Sequence, residues 1–307
     1  MKLIPLGPSK AEVSEIALGT MYFGSAVDDK TSFEMLDLYL DRGGRFLDTA
    51  NNYVHWIDPF QGGESERLIG RWMRERKNRD RVFVATKIGF ESKIFAAGMK
   101  PGQIRENVQR SLVNLRTDVI DLLYIHRDDP DTELSESLSA LNDLVRSGAI
   151  RYLGASNFTA PRLAHALETC AREDFAPLTC LQNRMTFLSP EPGFDTSPQV
   201  LLGAGEQALC RERRLRTLAF SPLLQGAYCL PERPLPTGYD TPENRARRSA
   251  LFEKAAQLGV TPNQIALAWM RGRGIIPMVT GENARQLEEN LASAQVEIGD
   301  WMREEAV

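Results

Sequence analysis

Short apolar runs alternate along this chain with longer segments whose apolar positions recur at helical spacing. The runs fall at residues 16–19, 45–48, 82–86, 120–126, 150–155, 178–182, 216–219 and 275–278, and each is expected to be a strand. Between them, Ile104, Val108, Leu112 and Leu115 share one face of a predicted helix over 102–116. Leu134, Leu138, Leu141 and Val145 do the same in the next crossover, where Gly148 supplies a stop. Thr261, Pro262 and Gln264 make a helix start, with a hydroxyl cap, a proline in the first turn and a glutamine three residues after the cap. Asn283 and Gln286 repeat that logic before a last helix.

Strands that alternate with crossover helices pair in parallel, and eight of them favour a closed (β/α)8 barrel, the TIM barrel, over an open sheet. The segment before the first strand is interrupted by Pro5, Gly7 and Pro8 and is expected to be a short hairpin plugging the barrel's N-terminal end. Two stretches, 88–99 and 224–248, read as long loops on the C-terminal face; the second holds Pro231, Pro234, Pro236, Gly238 and Pro242. Such loops are commonly functional lids or disordered segments.

With 307 residues, 42% of them hydrophobic, the chain can be one barrel domain over 1–307. A net charge of −4 and a pI near 5.6 leave no basic footprint for nucleic acid or for an anionic membrane, so a small molecule is the expected partner. No stretch approaches the roughly 18 apolar residues of a membrane span, and the N-terminus has no secretory core. Cys170, Cys180, Cys210 and Cys229 lack CxxC spacing, which suits reduced thiols in a cytoplasmic protein. Only three histidines exist and none neighbours a cysteine pair, so no metal site is expected.

Active sites of such barrels lie at the C-terminal strand ends. Asp48 ends the second predicted strand, Lys87 follows the third, His126 ends the fourth, and Tyr53 lies in the loop after the second. Alone, each has a bland role: a loop cap, a solvated lysine, a satisfied histidine. Together they put an acid, a phenol, an ammonium and an imidazole on one rim.

With these residues in place the chain resembles the aldo-keto reductase family over nearly its whole length. FLDTANNY, VATKIG, LLYIH and GAIRYLGASNF are similar to that family's segments in order and spacing. The resemblance implies that Asp48, Tyr53, Lys87 and His126 are the catalytic tetrad. In such a set Tyr53 is the proton donor, its pKa expected to be lowered by the Lys87 ammonium, while Asp48 balances Lys87 and a neutral His126 orients the substrate oxygen.

The resemblance also implies an NAD or NADP cofactor, because no side chain supplies hydride. It places the carboxamide at Ser156, Asn157 and Gln182 and the nicotinamide ring on Phe220. Ser221, Leu223, Gly281, Gln286, Glu289 and Asn290 are implied as further cofactor contacts. The family's two basic positions for a 2′-phosphate correspond to Thr280 and Gln286; neither is charged and Glu282 adds a negative group, which tilts the expectation towards NAD, although Arg285 is adjacent.

Tyr22, His55, Trp56, Phe90 and Arg127, with Asp128, stand as candidates for the substrate pocket, lined to suit a sugar-like alcohol or cyclic polyol as well as an apolar carbonyl compound. Arg245, Arg247 and Arg248 read as a solvated helix start. GGESERLIG reads as a turn and an acidic first helical turn. The runner-up reading is a non-catalytic nicotinamide-binding barrel that reports redox state to a protein partner.

Overall fold

The structure, a computed structural model, describes residues 1–301. In chain order its elements are β1 (Leu3–Pro5), β2 (Glu12–Ser14), β3 (Ala17–Gly19), α1 (Asp29–Asp41), β4 (Phe46–Asp48), α2 (Glu64–Arg76), β5 (Phe83–Ile88) and α3 (Pro101–Leu115). Next come β6 (Ile120–Ile125), α4 (Leu134–Arg146), β7 (Ile150–Ser156), α5 (Ala160–Arg172), β8 (Leu178–Arg184) and α6 (Ala204–Glu212). The described chain ends with β9 (Arg216–Phe220), α7 (Pro242–Leu258), α8 (Pro262–Gly272), β10 (Ile276–Val279) and α9 (Ala284–Ala292).

β3 to β10 pair in parallel and close on themselves, β10 bonding both β3 and β9. This is the expected (β/α)8 barrel. Its apolar residues divide into two layers. One fills the barrel, where Phe46, Ala85, Leu122, Cys180, Leu218 and Ile276 meet. The other lies between sheet and helices, where Trp72, Leu141 and Trp269 are buried. Each such side chain contributes roughly 1.5–3 kcal/mol by leaving water.

β1 and β2 form the expected hairpin, and Leu6 and Val13 from it complete the barrel filling from below. Gly7 lies at φ 57°, and a Cβ there would fall 2.0 Å from the Thr179 carbonyl oxygen, so only glycine lets the hairpin press against the start of β8.

The helix starts follow their signals. The Thr261 side chain accepts from the Gln264 N–H while the Gln264 side chain accepts from the Thr261 N–H, a complete capping box. Asn283 caps α9 by accepting from the Gln286 N–H at 3.0 Å. Two expectations change. The second long loop ends at residue 241, because the Thr241 side chain accepts from Asn244 N–H and Pro242 opens α7. Arg247 is not solvated: its guanidinium lies 4.8 Å over the Phe187 ring and donates to the Phe187 carbonyl.

Candidate active site

Side chains alternate along a strand, so the residue two beyond an interior position again points inward. Asp48 follows Phe46, Lys87 follows Ala85, His126 follows Tyr124, Gln182 follows Cys180 and Phe220 follows Leu218. These residues form the uppermost layer of the barrel filling, where apolar side chains give way to polar ones.

Lys87 is its hub. The ammonium bonds Asp48, donates to the Thr49 carbonyl at 2.9 Å and to the Tyr53 hydroxyl at 3.0 Å, and lies 5.5 Å from the Tyr124 ring centre. Asp48 is fully buried; one oxygen takes Lys87 and the other accepts from the Gln182 amide at 2.8 Å. Burial alone would drive the Lys87 pKa down, but Asp48 and Tyr53 outweigh it and the net direction is up. Lys87 is therefore held charged.

Burial pushes the Tyr53 phenol up, and the pull of Lys87 in the opposite direction does not overcome it. The expected lowering of Tyr53 is thus corrected: Lys87 acts in that sense, but desolvation is larger. His126 moves down, well below the ordinary imidazole value, first because it is buried and second because Lys87 is nearby. Its ring lies edge-on to Tyr53 at 6.1 Å and to Phe90 at 4.7 Å, and its Nδ1 has no hydrogen-bond partner.

Of the pocket candidates, Phe90 touches His126 and Arg127 lies 5.0 Å over Phe90. His55 and Trp56 contact each other at 5.3 Å, with Trp56 53% exposed, and Tyr22 is partly buried on the loop after β3. Asp128 has a structural role, pairing with Arg162 of α5 at 2.8 Å. Tyr124 was not among the candidates. Its place two residues before His126 on one strand was the signal that put its ring beneath the lysine.

The positions implied for a cofactor form an arc from β7 to α9. Ser156 is buried at the end of β7; Asn157, at φ 56°, donates to the His126 carbonyl at 2.9 Å and accepts from Val200 N–H at 3.1 Å. Phe220 packs partly buried on the barrel filling. Beyond it, Ser221, Leu224 and Gln225 all have positive φ, with Leu223 between them, a concentration of backbone strain typical of ligand clamps.

Gly281 leaves the start of α9 open, since a Cβ there would meet Leu287 N at 3.0 Å and the Gln286 Cβ at 3.1 Å. Such a start attracts phosphate. Asn290 anchors the turn by donating to the Thr280 carbonyl, Gln286 accepts from Glu282 N–H, and Glu289 accepts from Gln264 through its backbone. These features fit a dinucleotide.

Residues 15–303 match the model of the aldo/keto reductase family. The chain belongs to that family. Norsolorinic acid reductase B of Dothistroma septosporum is 28% identical over 97% of this chain and 78% of its own length. An aryl-alcohol dehydrogenase of Pestalotiopsis microspora is 27% identical over 95% and 78%. Aldo-keto reductase str7 of Strobilurus tenacellus is 30% identical over 93% and 85%. Aldo/keto reductases are oxidoreductases that generally use NAD(P)H and act on small carbonyl substrates. Among the described residues no helix is long and apolar enough to cross a membrane.

Proposed function

We propose that this aldo/keto reductase interconverts a carbonyl compound and its alcohol, with Tyr53 passing the proton. The reading is carried by one observation: a buried ammonium, held charged by Asp48, donates to the Tyr53 hydroxyl at 3.0 Å. In reduction Tyr53 starts protonated, as burial dictates, and gives its proton to the carbonyl oxygen. Lys87 stabilises the phenolate that results, and Asp48 and Gln182 keep Lys87 in place. His126, neutral at ordinary pH, orients the same oxygen through a hydrogen bond.

A bound nicotinamide supplies the hydride. Ser156, Asn157, Gln182 and Phe220 would hold its ring, and Ser221, Leu223, Gly281, Gln286, Glu289 and Asn290 the remainder. Uncharged Thr280 and Gln286, beside the exposed Glu282, support NAD over NADP.

The Phe90 ring edge-on to His126 at 4.7 Å favours an aryl carbonyl over a polyol. The aryl-alcohol dehydrogenase among the relatives agrees with that choice. The test is a turnover screen of aryl aldehydes, their alcohols, sugars and polyols with both cofactors. Turnover confined to sugars and polyols would overturn the aryl assignment, and none at all would overturn the reductase.

A further inference from the structure

The guanidinium of Arg127 stands apart from the other partly buried arginines. Arg79 is met by Thr117, two backbone carbonyls and Asp121, and Arg271 by Glu15 and the carbonyls of Ser293 and Ala294. Among the described residues Arg127 makes neither a hydrogen bond nor an ion pair through its side chain; it lies 5.0 Å over the Phe90 ring and interacts with Asp129 only through space, beyond ion-pair distance. The carboxylates next to it are directed elsewhere. Asp128 takes Arg162, and Asp129 accepts from Met99 N–H, Asp131 N–H and the Thr132 hydroxyl. Glu91 is exposed and forms no ion pair with it.

A guanidinium presents five donors in a fixed fork, and none of the Arg127 nitrogens is sealed from solvent, so the fork is open to an incoming acceptor. Here that fork lies on the ring that in turn touches His126 at 4.7 Å. Resting on the reductase reading above, we propose that Arg127 selects an aryl carbonyl substrate bearing a carboxylate across its ring from the reacting carbon. The carbonyl oxygen sits at Tyr53 and His126, the aryl ring lies along Phe90, and the carboxylate meets the fork in a bidentate pair.

The test compares benzaldehyde with 4-carboxybenzaldehyde, in the wild-type protein and in Arg127→Met and Arg127→Lys. The wild type should prefer the carboxylated aldehyde by about tenfold or more in kcat/KM, mainly through KM, as a charge-assisted bidentate contact allows. The preference ratio should fall towards one in Arg127→Met, and Arg127→Lys should keep part of it. Equal kcat/KM in the wild type, or a preference that survives Arg127→Met, overturns the proposal.

Calorimetric binding of both aldehydes to protein loaded with oxidised nicotinamide separates this failure from that of the reductase reading. Tighter binding of the carboxylated aldehyde, lost in Arg127→Met, supports Arg127 even without turnover, whereas equal binding refutes it.

Discussion

Tyr53 and His126 bear opposite relations to Lys87: the ammonium favours an ionised phenol and disfavours an ionised imidazole. Tyr53→Phe keeps the ring and removes the hydroxyl that accepts from Lys87, so turnover should fall about 100- to 10,000-fold, the usual worth of a positioned acid. Cofactor affinity, read by fluorescence quenching, should be retained; near-normal turnover would exclude Tyr53 as the acid. Because burial raises the Tyr53 pKa, reduction should stay level through neutral pH and decline only above about 10, the ordinary phenol value.

His126 predicts a stability effect instead. Its folded-state pKa lies below the unfolded one, so below about pH 6.5 the unfolded chain gains a proton that the folded protein refuses. The contribution is complete above that pH and is lost on acidification, at a limiting slope of about 1.4 kcal/mol per pH unit. In urea titrations at neutral and mildly acidic pH, His126→Gln should lose less stability on acidification than the wild type. Equal losses would show that His126 is not held neutral.

At the scale of elements, what the sequence revealed and what it hid divide by range. Strand period, helix period and capping residues are local, so all eight barrel strands, the Thr261 box and the Asn283 cap were legible. The convergence of Asp48, Lys87 and His126 was legible too, because strand ends plus alternation place them inward without any contact being known. Arg247 on Phe187 and Asn157 tied to Val200 were not legible, since each depends on partners brought together only by the closed sheet, whereas Tyr124 under Lys87 could have been read from its place two residues before His126. The direction of the Tyr53 shift was hidden for the same reason: a neighbouring charge shows in the strand pattern, whereas depth of burial does not.

Helix contacts have the same long-range character. Gly70 of α2 faces α3 so closely that a Cβ would fall 2.3 Å from the Asn114 carbonyl oxygen and 2.7 Å from the Leu115 carbonyl carbon. Gly70→Ala must separate the two helices and should cost about 1–3 kcal/mol of unfolding free energy. An unchanged urea midpoint would mean that the helices yield freely.

For the whole molecule, cofactor binding joins stability to function, because a ligand that binds only the folded barrel adds to the free energy of unfolding. At about 100 times its dissociation constant, a nucleotide should add about 2.7 kcal/mol and raise the thermal midpoint by several degrees. NADH and NADPH at equal concentration then report their affinity ratio directly. The neutral Thr280 and Gln286 predict the larger shift for NADH, and tenfold tighter binding of NADPH, which Arg285 would have to supply, overturns that preference. The same titration set beside the turnover screen weighs the enzyme against a redox-sensing barrel. Both bind the nucleotide and both are stabilised, but only the enzyme needs a proton donor at the reacting centre. Stabilisation that persists in Tyr53→Phe while turnover disappears assigns the Lys87-centred cluster to catalysis; stabilisation with no turnover of any carbonyl or alcohol in the wild type assigns the barrel to sensing.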